Sequence, residues 1–391
     1  MVRRAPVRER HWTFVMTGAE LEKYSPRHAS YGRHTSVQDR RFNYCRTMTN
    51  STLTALPGVR VGHATHLDKL TGCTVVLFDE PATVAFKAYG GGAGGYNTEG
   101  LRGGKTDYRL HGLFIAGGSS TGLMAAASIM ECLREDGVGF RSGPGGAVVN
   151  PSITGAAIYD LGMSVAPFEA EYGREAYHHA SADAVVGGNV GAGTGAAVGK
   201  FLWLEGGAKV GAMKAGVGSA RVDLGGGVMV TAMSVVNAVG NIVLPDGRIL
   251  AGNRDEAGGF KRYEDVSDIV TRNLSNTTIT VVGINVDLGS EEHYEKLAHL
   301  ATHGQVRAIN PVHTSADGDS LFVFSTGQLR DPLNINGQFF KEGPTDIHLQ
   351  VDLLGHAAAK AVQESIYDAC RQAQTVAFDE AYGGVVPAAG A

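Results

Sequence analysis

Thr277 opens an apolar run, TTITVVGINV (277–286), directly after Asn276 and a polar stretch over 252–275. A threonine at the head of a strand has an ordinary explanation, because β-branched residues suit a pleated surface. Asn276 lies in an Asn-x-Thr triplet, but that glycosylation signal concerns secreted chains. There is also a chemical reading. A threonine hydroxyl that attacks the carbonyl just before it moves the acyl chain from nitrogen to oxygen, and hydrolysis of the ester frees Thr277 as a new N-terminus. The liberated α-amine, with a reference pKa of roughly 7.7–8.0, then serves as the base for its own hydroxyl. An exposed linker running into a buried strand is the geometry such a cut needs.

Such a nucleophile needs helpers, and the chain offers candidates at several places. An oxyanion requires fixed donors. The junction Gly117-Gly118-Ser119, between an apolar strand and a helix, presents backbone N–H groups, and Asn237 in SVVNAVG carries an amide. Lys200 ends the Gly-rich stretch 187–200 and is a cation able to lower a nucleophile's pKa or bind its oxygen. HTSADGDSLF (313–322) sets Asp317 and Asp319 around a glycine, where they can orient an ammonium and a hydroxyl. Taken singly, each has a plain alternative: a strand-end Asn, an exposed loop Lys, an Asp-Gly turn.

Other chemistries fit less well. GLRGGKT (100–106) has Glu99 where a phosphate loop needs its first glycine, and GTGAAVGKF (193–201) has the wrong spacing with Phe201 in place of Ser or Thr. His63, His66, His178 and His179 lack partners at metal-ligand spacing, and neither HExxH nor GxSxG occurs. The net charge of −5 gives no case for nucleic acid.

The elements that must position these residues follow from the patterning. Strands are expected at 75–78, 82–86, 110–118, 156–159, 228–244, 277–286 and 321–324. Helices are expected at 119–135, 167–182, 291–300 and 346–373, with 252–275 as an exposed linker. Strands and helices mix without strict alternation, which favours a layered α/β fold with a mixed or antiparallel sheet sandwich between helices. The 55 glycines cluster between apolar runs and imply close backbone approaches. No apolar run reaches membrane-spanning length. Cys45, Cys73, Cys132 and Cys370 stand far apart, as buried reduced thiols in a cytoplasmic protein would.

Residues 1–47 hold nine Arg and one Lys against four acids, a net +6 that leaves −11 on the remainder. This basic extension lacks an apolar targeting core. It is set apart from a single domain over 48–391, with Met48 as an alternative start.

Taken together, PGVRVGHAT (57–65), FIAGGSSTGL (114–123), AAIYDLG (156–162), GAGTGAAVGK (191–200), VVNAVG (235–240), NTTI (276–279) and PVHTSADGDSLF (311–322) occur in an order that resembles a known family. It is the family of self-processing N-terminal-nucleophile hydrolases that contains L-aminopeptidase/D-Ala-esterase, β-peptidyl aminopeptidases and nylon oligomer (6-aminohexanoate oligomer) hydrolase. The likeness spans roughly 54–370 and is nearest the Thr-nucleophile, nylon-hydrolase branch. It implies an αββα sandwich and cleavage between Asn276 and Thr277 into 1–276 (or 48–276) and 277–391, with the fragments staying associated. It implies Thr277 as nucleophile, and Lys200, Asn237, Asp317 and Asp319 as its catalytic support. Tyr159 falls on a substrate-side or catalytic tyrosine. No metal or organic cofactor is implied, and homotetramers are. The expected partners are a short linear amide, either a small peptide or an ω-amino-acid oligomer, and further copies of the chain; nucleic acid and membrane are not expected. Acyl transfer of the ornithine acetyltransferase type, β-peptidyl or D-aminopeptidase activity, and a non-catalytic nucleotide-binding role are the alternatives. The segment 88–105 departs from the substrate loops of both branches, so specificity is less defined than chemistry.

Overall fold

The computed structural model describes residues 50–102, 109–164, 166–202, 211–255, 257–265, 276–330, 332–333, 346–377 and 385–390. The expectation for residues 1–47, including Cys45, and that for linker residues 266–275 lie outside the described residues.

The sheet is built from β1 (Val59–His66), β2 (Thr71–Ala88), β3 (Arg109–Ala116), β4 (Ile153–Ala157), β5 (Val217–Gly225), β6 (Val228–Asn237), β7 (Thr277–Asp287) and β8 (Ser320–Arg330). Their order is β5-β6-β7-β8-β2-β3-β4, closed by the short strand Gly94–Tyr96, while β1 pairs with β2. Pairing is antiparallel except for β7 with β8 and β3 with β4. The helices are α1 (Ala125–Glu135), α2 (Glu171–His178), α3 (Glu291–Ala301), α4 (His303–Ala308) and α5 (Ile347–Gln372). Each parallel pair is joined through helix, α1 between β3 and β4 and α3 and α4 between β7 and β8, because parallel neighbours cannot be joined by a tight turn.

Period-two alternation sorts the strand side chains into three cores. Ile279 and Val281 of β7, Met233 and Val235 of β6, and Phe322 and Phe324 of β8 face inward. They meet Val76 and Phe78 of β2 and Leu113 and Ile115 of β3. The intervening residues Val282, Ile284, Leu321 and Val323 face outward against Leu297 of α3 and Leu354, Val362 and Ile366 of α5. On the other outer face, Val75, Leu77 and Phe114 pack on Ile129 and Leu133 of α1 and Tyr172 of α2. The layering is therefore helix, sheet, sheet, helix, as expected. Each such apolar side chain contributes about 1.5–3 kcal/mol by leaving water.

Some expected boundaries shift for physical reasons. The two short strands at 75–78 and 82–86 are one strand, β2. Its register breaks between Leu77 and Ala82 at the exposed Asp79-Glu80, ahead of Pro81, and the bend lets one strand serve both layers. Residues 119–135 begin as a tight turn of 3₁₀ helix over Ser119–Met124 before α1 proper. The 167–182 helix shortens to α2, and the 228–244 run splits at Ala238-Val239-Gly240 into β6 and Asn241–Val243. The expected linker is not wholly exposed: Gly252 and Asn253 are buried, and the Asn253 amide donates to the Gly199 carbonyl at 2.8 Å. Cys73, Cys132 and Cys370 are buried and unpaired. Among the described residues, no helix is long and apolar enough to cross a membrane.

Gly218 of β5 lies directly against α5, where a β-carbon would overlap the main chain of Ser365 and Ala369. Gly218→Val forces the helix off the sheet. It is expected to lower stability by at least about 1–3 kcal/mol, read as a lower midpoint in urea unfolding.

Candidate active site

Three strand ends converge because of the pairing pattern. β7 and β8 run parallel, so both begin at the same edge of the sheet, with Ile279 opposite Ser320. β6 runs antiparallel to β7 and ends there, placing Asn237 directly opposite Thr277. Thr277 and Asn237 share the inward face with Ile279 and Val235, and facing side chains in such a pair stand within contact reach. Residues 317–319, just before β8, flank Thr277 on its other side, with Asn276 bridged to Asp317.

Lys200 arrives from the Gly-rich loop. Its Nζ donates to the Asn237 carbonyl at 2.9 Å and to Asn237 Oδ1 at 2.5 Å. Asn237 Oδ1 also accepts from the Ala197 N–H at 3.1 Å, and Asn237 Nδ2 donates to the Tyr159 carbonyl at 2.8 Å. Two donors on the oxygen fix which way the amide points. An amide nitrogen carries two protons, and Tyr159 takes one of them, leaving a donor beside Thr277.

The carboxylates are held as firmly. Asp317 Oδ1 accepts from the Val239 N–H, and its Oδ2 accepts from the Thr314 N–H and, at 2.6 Å, the Thr314 hydroxyl. Asp319 Oδ1 accepts from the Thr278 N–H at 2.7 Å, and its Oδ2 from the N–H and Nδ1 of His313. Burial, then the neighbouring Asp319 charge, pushes the Asp317 carboxyl up to about 6. Burial pulls the Lys200 ammonium down to about 7, against the opposing pull of Asp317, Asp160 and Asp319.

Thr277 and Asn276 are each 4% exposed. The Thr277 hydroxyl donates to the Asn276 carbonyl oxygen, which also receives the Gly318 N–H at 2.6 Å. The Asn276 N–H in turn donates to the Ala316 carbonyl at 2.9 Å. Gly318 is required at this spot: a β-carbon there would lie 2.8 Å from Thr277 Oγ1 and 2.9 Å from the Gly92 carbonyl oxygen.

Five sequence-derived residues, Thr277, Lys200, Asn237, Asp317 and Asp319, thus meet in one buried cluster with Asn276. Tyr159 joins through its main-chain oxygen. Gly117, Gly118 and Ser119 do not supply an oxyanion hole as expected. Their N–H groups already donate, respectively, to the Gly72 carbonyl, to Asp160 Oδ1 at 2.7 Å and to the Ile158 carbonyl. This junction instead grips Asp160, whose Oδ2 accepts from the Thr71 hydroxyl at 2.7 Å. Sequence reasoning missed Asp160, Gly318, His313 and Lys214. Lys214 is fully buried and donates to the carbonyls of Gly193, Ala196 and Ala215, bracing the turn that presents the Ala197 N–H. Its only signal was a charge inside an apolar, Gly-rich stretch. His63 bonds the Thr74 hydroxyl and His66 bonds Glu175, roles within the fold. No cluster of three or more potential metal ligands occurs among the described residues. A groove of about 600 Å³ lies at the far end of β7 beside Asp287 and Arg330, remote from this chemistry.

Residues 51–382 match Peptidase family S58. An uncharacterized aminopeptidase of Mycobacterium tuberculosis (strain ATCC 25618 / H37Rv) is 33% identical over 365 residues, covering 87% of this chain and 99% of that protein. The 6-aminohexanoate-oligomer endohydrolase of Kocuria sp. (strain KY2) is 33% identical over 289 residues, covering 71% of this chain and 75% of the enzyme. Among solved structures, the L-aminopeptidase D-Ala-esterase/amidase of Ochrobactrum anthropi, a variant of the Ntn-hydrolase fold, superposes with a TM-score of 0.63 at 19% identity, over 87% of this chain and 91% of that one. The Burkholderia sp. β-aminopeptidase gives 0.62 at 21% identity, with the same coverage. The chain belongs to Peptidase family S58 and is an amide-bond hydrolase with the Ntn-hydrolase fold.

Proposed function

We propose that the chain cuts itself between Asn276 and Thr277 and then hydrolyses short linear amides with Thr277 as its N-terminal nucleophile. The observation that carries this reading is the Thr277 hydroxyl on the Asn276 carbonyl, whose oxygen is already polarised by the Gly318 N–H. In the first step Thr277 Oγ attacks the Asn276 carbonyl carbon. The hydroxyl proton passes by way of Asp317 to the departing Thr277 nitrogen, leaving an ester. Water then releases Asn276 as a carboxylate and Thr277 with a free amine and a free hydroxyl.

Turnover repeats the chemistry on a substrate. The Thr277 amine takes the hydroxyl proton as Oγ attacks the amide and returns it to the leaving amine. The acyl ester is then hydrolysed. The free proton on Asn237 Nδ2 and the Gly318 N–H hold the oxyanion, and Lys200 supports Asn237 as a nearby cation. Substrates are small peptides or ω-amino-acid oligomers, in keeping with the aminopeptidase and 6-aminohexanoate-oligomer names of the relatives.

Intact mass and N-terminal sequencing of freshly purified protein are expected to show two fragments, one beginning Thr277-Thr278-Ile279. Thr277→Ala is expected to remain a single chain with no amidase activity; an uncut wild-type chain that is stable for days sinks the proposal.

The pH dependence has a definite sign. Asp317 accepts a proton only while ionised, and its carboxyl sits at about 6. Self-cleavage is therefore expected to slow as pH falls through about 6, followed on gels after a pH jump. Asp317→Asn is expected to flatten that limb and slow cleavage by about 100-fold or more.

Asn237→Ala removes the side-chain acceptor of Lys200 and the partner of the Ala197 N–H. It is expected to cost about 1–3 kcal/mol of stability, by denaturant titration, together with about 100-fold or more in hydrolysis rate.

A further inference from the structure

Asp317 and Asp319 share a dry corner, where two neighbouring carboxylates resist carrying charge together. Their donors are equal in number but different in kind. Asp317 is met by two backbone N–H groups and by the Thr314 hydroxyl. A hydroxyl can turn round and accept, so this site tolerates a protonated carboxyl. Asp319 is met by the Thr278 N–H, the His313 N–H and His313 Nδ1.

The imidazole tautomer follows from its other nitrogen. His313 Nε2 is buried and finds no hydrogen-bond partner among the described residues. A proton placed there alone would face nothing, whereas on Nδ1 it points at Asp319 Oδ2, 3.1 Å away. All three contacts to Asp319 are then pure donors.

The ring is also held in place. His313 has φ +56°, in the left-handed region, which brings its own N–H and Nδ1 onto the same carboxylate oxygen. The Tyr89 ring covers it at a centroid separation of 5.4 Å, and the Tyr89 hydroxyl bonds His299 Nδ1 at 2.6 Å. The Tyr89 N–H donates to the Asp319 carbonyl, tying the cover to the same loop.

We infer that His313 is a positioning residue: by gripping Asp319 Oδ2 from two sides it fixes the negative charge of the carboxylate pair on Asp319 and leaves the exchangeable proton to Asp317. This rests on the proposed self-cleaving hydrolase. The titratable and charged groups facing the pair are Lys200 and, after cleavage, the Thr277 amine. Behind His313 stand Tyr89, His299 and His303, with Lys87, Glu295 and Lys296 at the rim.

His313→Asn and His313→Leu test it, with self-cleavage and hydrolysis of L-alanine p-nitroanilide and of the linear 6-aminohexanoate dimer followed from about pH 5 to 9. Asparagine keeps a neutral donor and accepts the left-handed backbone; leucine removes the donor. In His313→Leu the negative charge is no longer fixed on one carboxylate and the pair is fully ionised only at higher pH, so the acid limb, near pH 6 in the wild type, is expected to move up by about one pH unit and kcat at pH 7 to fall about twofold. KM should stay near wild type, and His313→Asn should fall between. Should His313→Leu fail to fold, the limb of His313→Asn decides alone. Variants whose pH profiles superpose on wild type overturn the inference while leaving the proposed function standing. A wild-type chain that neither cuts itself nor hydrolyses either amide sinks both.

Discussion

The burial of Lys200 beside two carboxylates is the constraint on which the rest of the site depends. A cation and two anions in a low-dielectric corner are tolerable only when nearly every polar atom is met. Here backbone groups meet most of them: the Asn237 carbonyl for Lys200, and the N–H groups of Val239, Thr278, His313 and Thr314 for the aspartates. The same burial that makes charge costly drives Lys200 down to about 7 and Asp317 up to about 6. Groups whose affinities approach each other from opposite sides exchange protons with little free-energy change near neutral pH, which suits general acid–base work.

Backbone groups can serve as ligands only if loops come close, and this explains where the glycines fall. Gly90 and Gly91 run against Ser315–Asp319 so tightly that a β-carbon on either would overlap that loop's main chain. Their N–H groups reach the Asp319 and Thr314 carbonyls, and Gly92 reaches that of Asp317. The Asp-Gly-Asp turn is thus clamped from the end of β2, while β8 fixes its exit.

Much of this was legible in the sequence, and the parts that were not share a cause. The head of β7 was readable because a polar stretch gives way at one residue to an apolar run. Lys200 was readable as a cation closing a Gly-rich stretch, Asn237 as an amide within an apolar run, and Asp317 and Asp319 as carboxylates around a glycine ahead of a strand, while their joint role came from the family resemblance. Their convergence was not, because it depends on β7 and β8 being parallel while β6 is antiparallel, and strand period carries no pairing direction. Gly117–Ser119 was misread for a related reason. The motif does place N–H groups at a helix start, but the acceptor that consumes one of them, Asp160, comes from a distant strand end. Nothing in AAIYDLG pairs Asp160 with that junction.

Thr277 is nearly inaccessible, yet a hydrolase must admit substrate. On the proposed reading, what covers the hydroxyl is the chain's own Asn276, seated by the Ala316 carbonyl on one side of its peptide and the Gly318 N–H on the other. Cleavage converts that tether into a chain end, and the position vacated is lined by the groups that polarised the scissile carbonyl. A substrate carbonyl entering beside Thr277 then meets Gly318 and Asn237 in the geometry the precursor used on itself. One set of buried charges can therefore serve both reactions without rearranging, which matters because moving unpaired charges through a dry interior would cost more than either reaction could recover.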